Sequence, residues 1–337
     1  MNFKVYVLLV FYVLISSFVY GKSYNIVLLE TMSVPVVEEH SKAIQNELQK
    51  LSKQINMSFD LEIMKGLGDR DYCIELLNSY LEVKKPDFVI TIATLATQAA
   101  VQVFSDTDVP LLFCAVVDPV GSGIAKAVGV PSESNISGIV YTHQRDTKVE
   151  MVLRVLDQSY KYQDIKFGVV GSDYPSAVGD LRALNLIAET YDYIEFVSHQ
   201  FAYEPIGDHL SSLLQKFSTG VVELEDKVDF LWEAGGPMAE IEVASKILVN
   251  SDTPVILGNT PKAVELGALM CIATDSQETG IQIVEMVDMI LKGRSVGTIP
   301  ITMPRKFNLY INMKTAEEMN IKIPSHMLMI AGDNIYR

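Results

Sequence analysis

The segment PDFVITIATLATQAAVQVFSDTDVPLLFCAVVDPVGSG, residues 86–123, limits the fold more than any other part of the chain. A first apolar run, Phe88 to Ala93, stops at Thr94, and a helical pattern continues through Val103. A second run, Leu111 to Val117, ends in Asp118-Pro119 and a glycine-rich turn. Continuous apolar runs rich in β-branched residues, with a helix between them, are the pattern of a parallel sheet buried on both faces. In such sheets ligands sit in the crevice beyond the carboxyl ends of the strands. Thr94 and Asp118 should therefore reach one crevice from two strands.

The same alternation fills the rest of the chain. Strands are expected at 24–30, 59–64, 136–141, 165–170, 193–197, 228–232, 254–257 and 308–312. Helices are expected from Pro35 through Ile55, at 69–83, 149–156, 175–191, around 209–217, at 238–249, 276–291 and 315–319. Repeated βαβ units with right-handed crossovers wind into doubly wound α/β lobes. The polar stretch Pro131 to Asn135 marks a passage from one lobe to a second, and the helix from Ser276 a return. A chain of 337 residues is long enough for two such lobes, with a ligand cleft between them.

Forty-two acidic residues against 27 basic ones give a net charge of −15, which argues against nucleic acid or anionic membranes as partners. The first 21 residues, with Lys4 ahead of an apolar core from Val5 to Val19, read as a secretory signal peptide. An uncleaved anchor is the alternative, but the run is short for a span. With no cysteine beside Gly21, the expectation is a freely diffusing periplasmic protein without a lipid anchor. Cys73, Cys114 and Cys271 match no metal spacing and no disulfide framework, and the last two sit in apolar runs as small hydrophobes.

No catalytic signature appears. The five histidines are scattered, and there is no nucleophile elbow or phosphate loop. Gly168-Val-Val-Gly171-Ser172 lacks the third glycine of a dinucleotide fingerprint, so neither cofactor nor metal is expected. Binding without chemistry becomes the leading reading. Its candidates lie at strand ends. Thr94, after Ala93, either caps its own helix or helps helix amides hold a carboxylate. Asp118 either starts a turn before Pro119 or holds an ammonium. Ser172 and Ser176 flank a loop with more hydroxyls than one cap needs. Trp232 is a core residue or a ligand contact, and Glu233 lacks a basic neighbour in sequence. Asn259, Thr260 and Asp275 mark two further strand ends.

Three stretches resemble the tryptophan/tyrosine-type substrate-binding proteins of ABC transporters. They are ITIATLATQAAVQVFSDTDVPLLFCAVVDPVGSG, NISGIVY, and the run from TPVILGNTPKAVELGAL through ETGIQIVEMVDMILKG to PRKFNLYINMKTAEEMNIKIP. The resemblance implies the type I periplasmic binding fold: two Rossmann-like lobes, each a doubly wound and mainly parallel sheet, joined by a three-crossing hinge. One lobe would hold residues 22–139 and about 276–303, the other about 140–275 and 304–337. It favours Thr94, Asp118, Ser172, Glu233 and Asp275 as cleft residues. Two positions depart from the pattern: Ser276 stands where many relatives have Tyr, and Glu233 where they often have Asp.

The expected activity is reversible capture of a small zwitterion such as an amino acid. Thr94 and nearby amides would take its carboxylate, and Asp118 or Glu233 its ammonium. Closure of the monomer about its hinge would present the loaded form to a permease in the inner membrane. Presentation to a membrane sensor is an alternative, as is an extracytoplasmic enzyme using Asp118 and Glu233 as acid and base.

Overall fold

The computed structural model describes residues 22–141, 145–160 and 163–337. The signal segment expected at 1–21 lies outside the described residues.

The first lobe is built on a five-stranded parallel sheet of β1 (Ser23–Glu30), β2 (Ser58–Lys65), β3 (Phe88–Ile92), β4 (Leu111–Val116) and β5 (Ile136–Val140), in the order β2-β1-β3-β4-β5. Side chains alternate across a strand, so one strand feeds two cores. In β1, Ile26 and Leu28 pack with Ile44 and Leu48 of α1 (Pro35–Ile55) and with Ile283 and Val287 of α9 (Ser276–Leu291). Val27 and Leu29 face Leu77 of α2 (Arg70–Val83) and Ala96 and Ala100 of α3 (Thr94–Phe104). Helices on both faces explain why β3 and β4 are buried at every position and read as unbroken apolar runs. Local signals set the helix ends. Pro35 starts α1, left-handed Asn56 stops it, and the Asp69 side chain caps α2 by accepting from the amides of Asp71 and Tyr72.

The second lobe holds β6 (Ile165–Ser172), β7 (Ile194–Phe201), β8 (Phe230–Glu233), β9 (Val255–Gly258), β10 (Met270–Thr274), β11 (Phe307–Asn312) and β12 (Ile335–Tyr336), ordered β12-β11-β10-β9-β8-β6-β7. Only the β10–β11 pairing is antiparallel among the described residues. Its helices are α4 (Arg145–Tyr160), α5 (Pro175–Ala188), α6 (Ile206–Glu225), α7 (Glu242–Val249), α8 (Pro261–Leu266), α10 (Met313–Glu318) and α11 (Ser325–Ala331). Helix α6 is longer than its sequence pattern predicts, and α8 was not expected at all. The helix expected from Met238 instead begins as a 3-10 turn, Pro237–Glu240, before α7.

Three segments cross between the lobes, after β5, after β10 and before β11. They lie against one another. Val140 N–H donates to Thr302 O and Thr302 N–H to Gly138 O, both at 3.0 Å. The Thr274 hydroxyl donates to Tyr141 O. Arg305, on the third crossing, pairs with Glu285 and Glu278 of α9.

The Asn-Ile-Ser-Gly segment at 135–138 is a clip for this region. Asn135 Nδ2 donates to Phe104 O and Val109 O at 2.8 and 2.9 Å, and Ser137 Oγ to Ile299 O at 2.9 Å. A methyl group on Gly138 would overlap the carbonyl oxygen and ring of Phe113 on β4. Gly138→Ala is therefore expected to cost about 1–3 kcal/mol, the usual range for overpacking. Gly207→Ala, where the added carbon meets nothing, should stabilise α6 by roughly 0.5–1 kcal/mol. Chemical unfolding of both variants checks the pair; equal midpoints would refute the clip.

Candidate functional site

Two adjacent strand ends of the first lobe leave regular geometry at alanines. Ala93 has φ 71° and Ala115 φ 56°, left-handed values that cost a non-glycine residue of order 1–3 kcal/mol. Ala93 N–H is fixed by Cys114 O at 2.9 Å, and the β4–β5 register shifts between Phe113 and Val116. Both alanines line a narrow inner compartment of about 50 Å³ between the lobes, with Met32 and Val117 from the first lobe and Tyr174 and Ser176 from the second. A wider outer compartment of about 430 Å³ adjoins it, bordered by Glu39, His40, Thr260, Lys262, Asp275 and Tyr310. Val36, Tyr141, Glu240 and Asn259 line both, so the two form one interlobe cleft. Small-molecule sites typically occupy about 300–1,000 Å³.

The electrostatics of this cleft are lopsided. Among the described residues, the outer wall carries Glu39, Glu240, Glu242 and Asp275 against a single lysine, Lys262. Lys262 is itself paired with Glu265 at 3.1 Å. Glu240 ends the 3-10 turn after Gly235-Gly236, and its Oε2 accepts from Val36 N–H across the cleft at 3.3 Å. Burial pushes its carboxyl up to about 8, and the neighbouring carboxylates of Glu233 and Glu39 add to the rise. Burial likewise holds the Tyr141 phenol well above its ordinary value.

The residues flagged from sequence divide. Ala93, Ser176, Asn259, Thr260 and Asp275 line the cleft. Thr260 and Asp275 also cap α8 and α9, accepting from the amides of Ala263 and Glu278 at 3.2 and 2.9 Å. The others do not reach it in this conformation, each for a definable reason. Thr94 is buried and is not the cap of α3, since Ala93 holds that position without a side-chain bond. The surroundings are also engaged: Ala96 N–H donates to Thr31 Oγ1 at 3.0 Å, and Leu95 packs in one cluster with Tyr174. Asp118 has both oxygens in use. One accepts from Gly121 N–H at 2.8 Å, and the other pairs with Arg182 of α5 at 2.6 Å, tying the lobes together.

Ser172 is buried and accepts from Tyr174 N–H at 3.4 Å, shaping its own loop. Trp232 is a core residue, 2% exposed, edge-on to Phe167 and Phe196. Glu233 lies behind the wall. Its Oε1 accepts from Ser245 Oγ at 2.9 Å and its Oε2 from Asn259 N–H at 2.7 Å, so it positions Asn259 rather than meeting a ligand. Burial raises its carboxyl to about 7, against the pull of those two bonds.

Sequence reasoning missed Glu240, His40, Tyr141 and Tyr310. Glu240 carries no periodic signal because it sits in a short turn. His40, however, falls three residues after Val37 and four before Ile44, on the apolar stripe of α1. A polar residue on such a stripe was a readable flag. All three cysteines are free and buried.

Two mainly parallel α/β lobes, three adjacent crossings and a cavity walled by both lobes define a hinged small-molecule-binding protein. The sequence profile of the ABC transporter substrate binding protein family matches residues 25–161 and 239–335, and the chain belongs to that family. Such proteins bind small molecules outside the cytoplasm and serve ABC permeases; the family is one of binding rather than catalysis. The chain is similar to a "Tyrosine-binding protein" of Clostridioides difficile (strain R20291), with 22% identity over 316 residues, 93% of this chain and 84% of the relative. Among solved structures, it is similar to an ABC domain from Streptococcus pneumonia in complex with L-Trp. That match has 20% identity and a TM-score of 0.74, covering 93% of this chain and all of the other. A conserved domain protein from Vibrio cholerae matches with a TM-score of 0.75 and 20% identity, over 94% of this chain and 100% of the other. No helix among the described residues is long and apolar enough to cross a membrane.

Proposed function

We propose that this chain captures an aromatic amino acid in the interlobe cleft and releases it to an ABC permease, working as a periplasmic monomer. The observation that carries the reading is the carboxylate excess of the cleft. Glu240 lies where both compartments meet, with its acid raised to about 8 by burial and by the neighbouring carboxylates. A ligand ammonium supplies a counter-charge. Asn259, Thr260 and Lys262 stand on the same wall to take the ligand carboxylate, with Asp275 as a second acid. Ser176 and the Ala93 turn close the inner end. The tyrosine and L-Trp in the names of similar proteins support an aromatic side chain. The moving bodies in this reading are residues 22–139 with 276–303, and 140–275 with 304–337.

A ligand that binds only the folded state raises the melting temperature. L-tyrosine and L-tryptophan should do so, whereas 3-(4-hydroxyphenyl)propionate, which lacks the amine, should not. Charge-assisted hydrogen bonds contribute about 1.5–3 kcal/mol, so Glu240→Gln should weaken binding roughly 10- to 100-fold. Equal binding of the deaminated acid, or an unchanged Kd in Glu240→Gln, would remove the basis of this reading.

A further inference from the structure

We infer that His40 Nε2 accepts a hydrogen bond from an N–H or O–H on the ligand's aromatic side chain, and so selects phenolic and indolic amino acids over phenylalanine. The inference rests on the aromatic amino-acid reading and adds the residue that reads the side chain. His40 is 1% exposed yet borders the outer compartment. Its Nδ1 lies 2.7 Å from Val36 O, one turn back in α1. A carbonyl can only accept, so Nδ1 carries the proton and Nε2 keeps a lone pair. Among the described residues that atom has no hydrogen-bond partner. Burial lowers the imidazole's pKa, against the raising effects of the Val36 bond and the Asp275 carboxylate, which favours the neutral ring.

The position of this acceptor matters as much as its state. Val36 gives its N–H to Glu240, and its C=O accepts from His40, so a single residue bridges the acid proposed for the ammonium and the imidazole. The Tyr141 ring stands 6.2 Å from the imidazole, tilted by 58°. A ligand anchored by its amine at Glu240 thus meets a second, neutral acceptor on the facing wall. A phenyl group in the closed cleft leaves Nε2 unpaired, as it is among the described residues. A phenol or indole N–H restores the bond, and sites built this way discriminate strongly against analogues lacking the donor.

Calorimetric titration of L-tyrosine, L-phenylalanine, L-tryptophan and 1-methyl-L-tryptophan tests this on the wild type, His40→Leu and His40→Gln. The wild type should favour tyrosine over phenylalanine, and tryptophan over its N-methyl analogue, by about 10- to 100-fold. Both ratios should fall to within about threefold in His40→Leu, and His40→Gln, which keeps an acceptor, should recover part of them. The wild-type ratios decide the matter even where a variant folds poorly. Ratios near one in the wild type, or ratios that survive His40→Leu, overturn the inference. When all four ligands bind in a Glu240-dependent way without selectivity, only the role of His40 falls. When none binds, the amino-acid reading falls and this inference with it.

Discussion

Trp232→Ala should lower the melting temperature by about 10 °C or more while leaving the cleft able to bind. The indole is 2% exposed and stands edge-on to Phe167 (centroids 5.9 Å apart) and Phe196 (5.5 Å apart). Phe167 and Phe196 are themselves stacked at 5.2 Å. Truncating a buried Trp costs about 3–5 kcal/mol, because the lost contacts are compounded by a cavity that the neighbours only partly fill. For domains of about 150–250 residues, each kcal/mol shifts the midpoint by roughly 2–4 °C. Circular dichroism should follow the transition, since the variant loses the chain's only Trp. Trp232→Phe, which keeps part of the ring volume, should lose markedly less. A ligand-stacking Trp would give the opposite result: a small change in midpoint and a collapse of affinity. That outcome would overturn the assignment of Trp232 to the core.

The same residue shows where sequence reading stops. Buried strands announce themselves because helices cover both faces, which leaves β3 and β4 no polar position. Strand-end residues were legible as candidates, because parallel sheets open at their carboxyl ends. What each does depends on partners far away in the chain. Asp118 is occupied by Arg182, 64 residues on; Thr94 is buried beside Leu95, which packs with Tyr174 of the other lobe. Glu233 is turned inward by Ser245 and the Asn259 amide. None of these contacts has a local signature. Helix α8 escaped because six residues are too few to show a period, and α6 was read too short because exposed Val222 blurs its stripe. His40 was the exception, readable from its place on α1 yet unread.

Ligand affinity should rise with pH between about 5 and 8, and the empty protein should lose stability over the same range. The two effects share a cause. Glu240 is raised to about 8 and Glu233 to about 7, both above 4.5, chiefly by burial. Between those limits the folded, empty protein binds more protons than the unfolded chain, so stability falls as pH rises. The slope is at most about 1.4 kcal/mol per pH unit for each group. An ammonium bound at Glu240 reverses the preference, since it favours the ionised carboxylate. Binding then releases a proton, and affinity can climb up to about tenfold per pH unit until Glu240 is ionised. The other groups near Glu240 do not supply that slope. Burial disfavours the charged form of His40, Lys262 is paired with Glu265, and Glu39 is raised by burial without touching Val36 as Glu240 does. Glu233 faces Ser245 and Asn259 rather than the cleft, so it shifts the profile without contacting ligand. Titration calorimetry in two buffers of different ionisation enthalpy measures the released proton directly. Glu240→Gln should flatten the profile and abolish most of that release, whereas His40→Leu should leave both in place. An affinity that is flat or falls between pH 5 and 8 would mean that Glu240 is not the ammonium partner, because a carboxyl raised this far cannot take up a cation without giving up its proton.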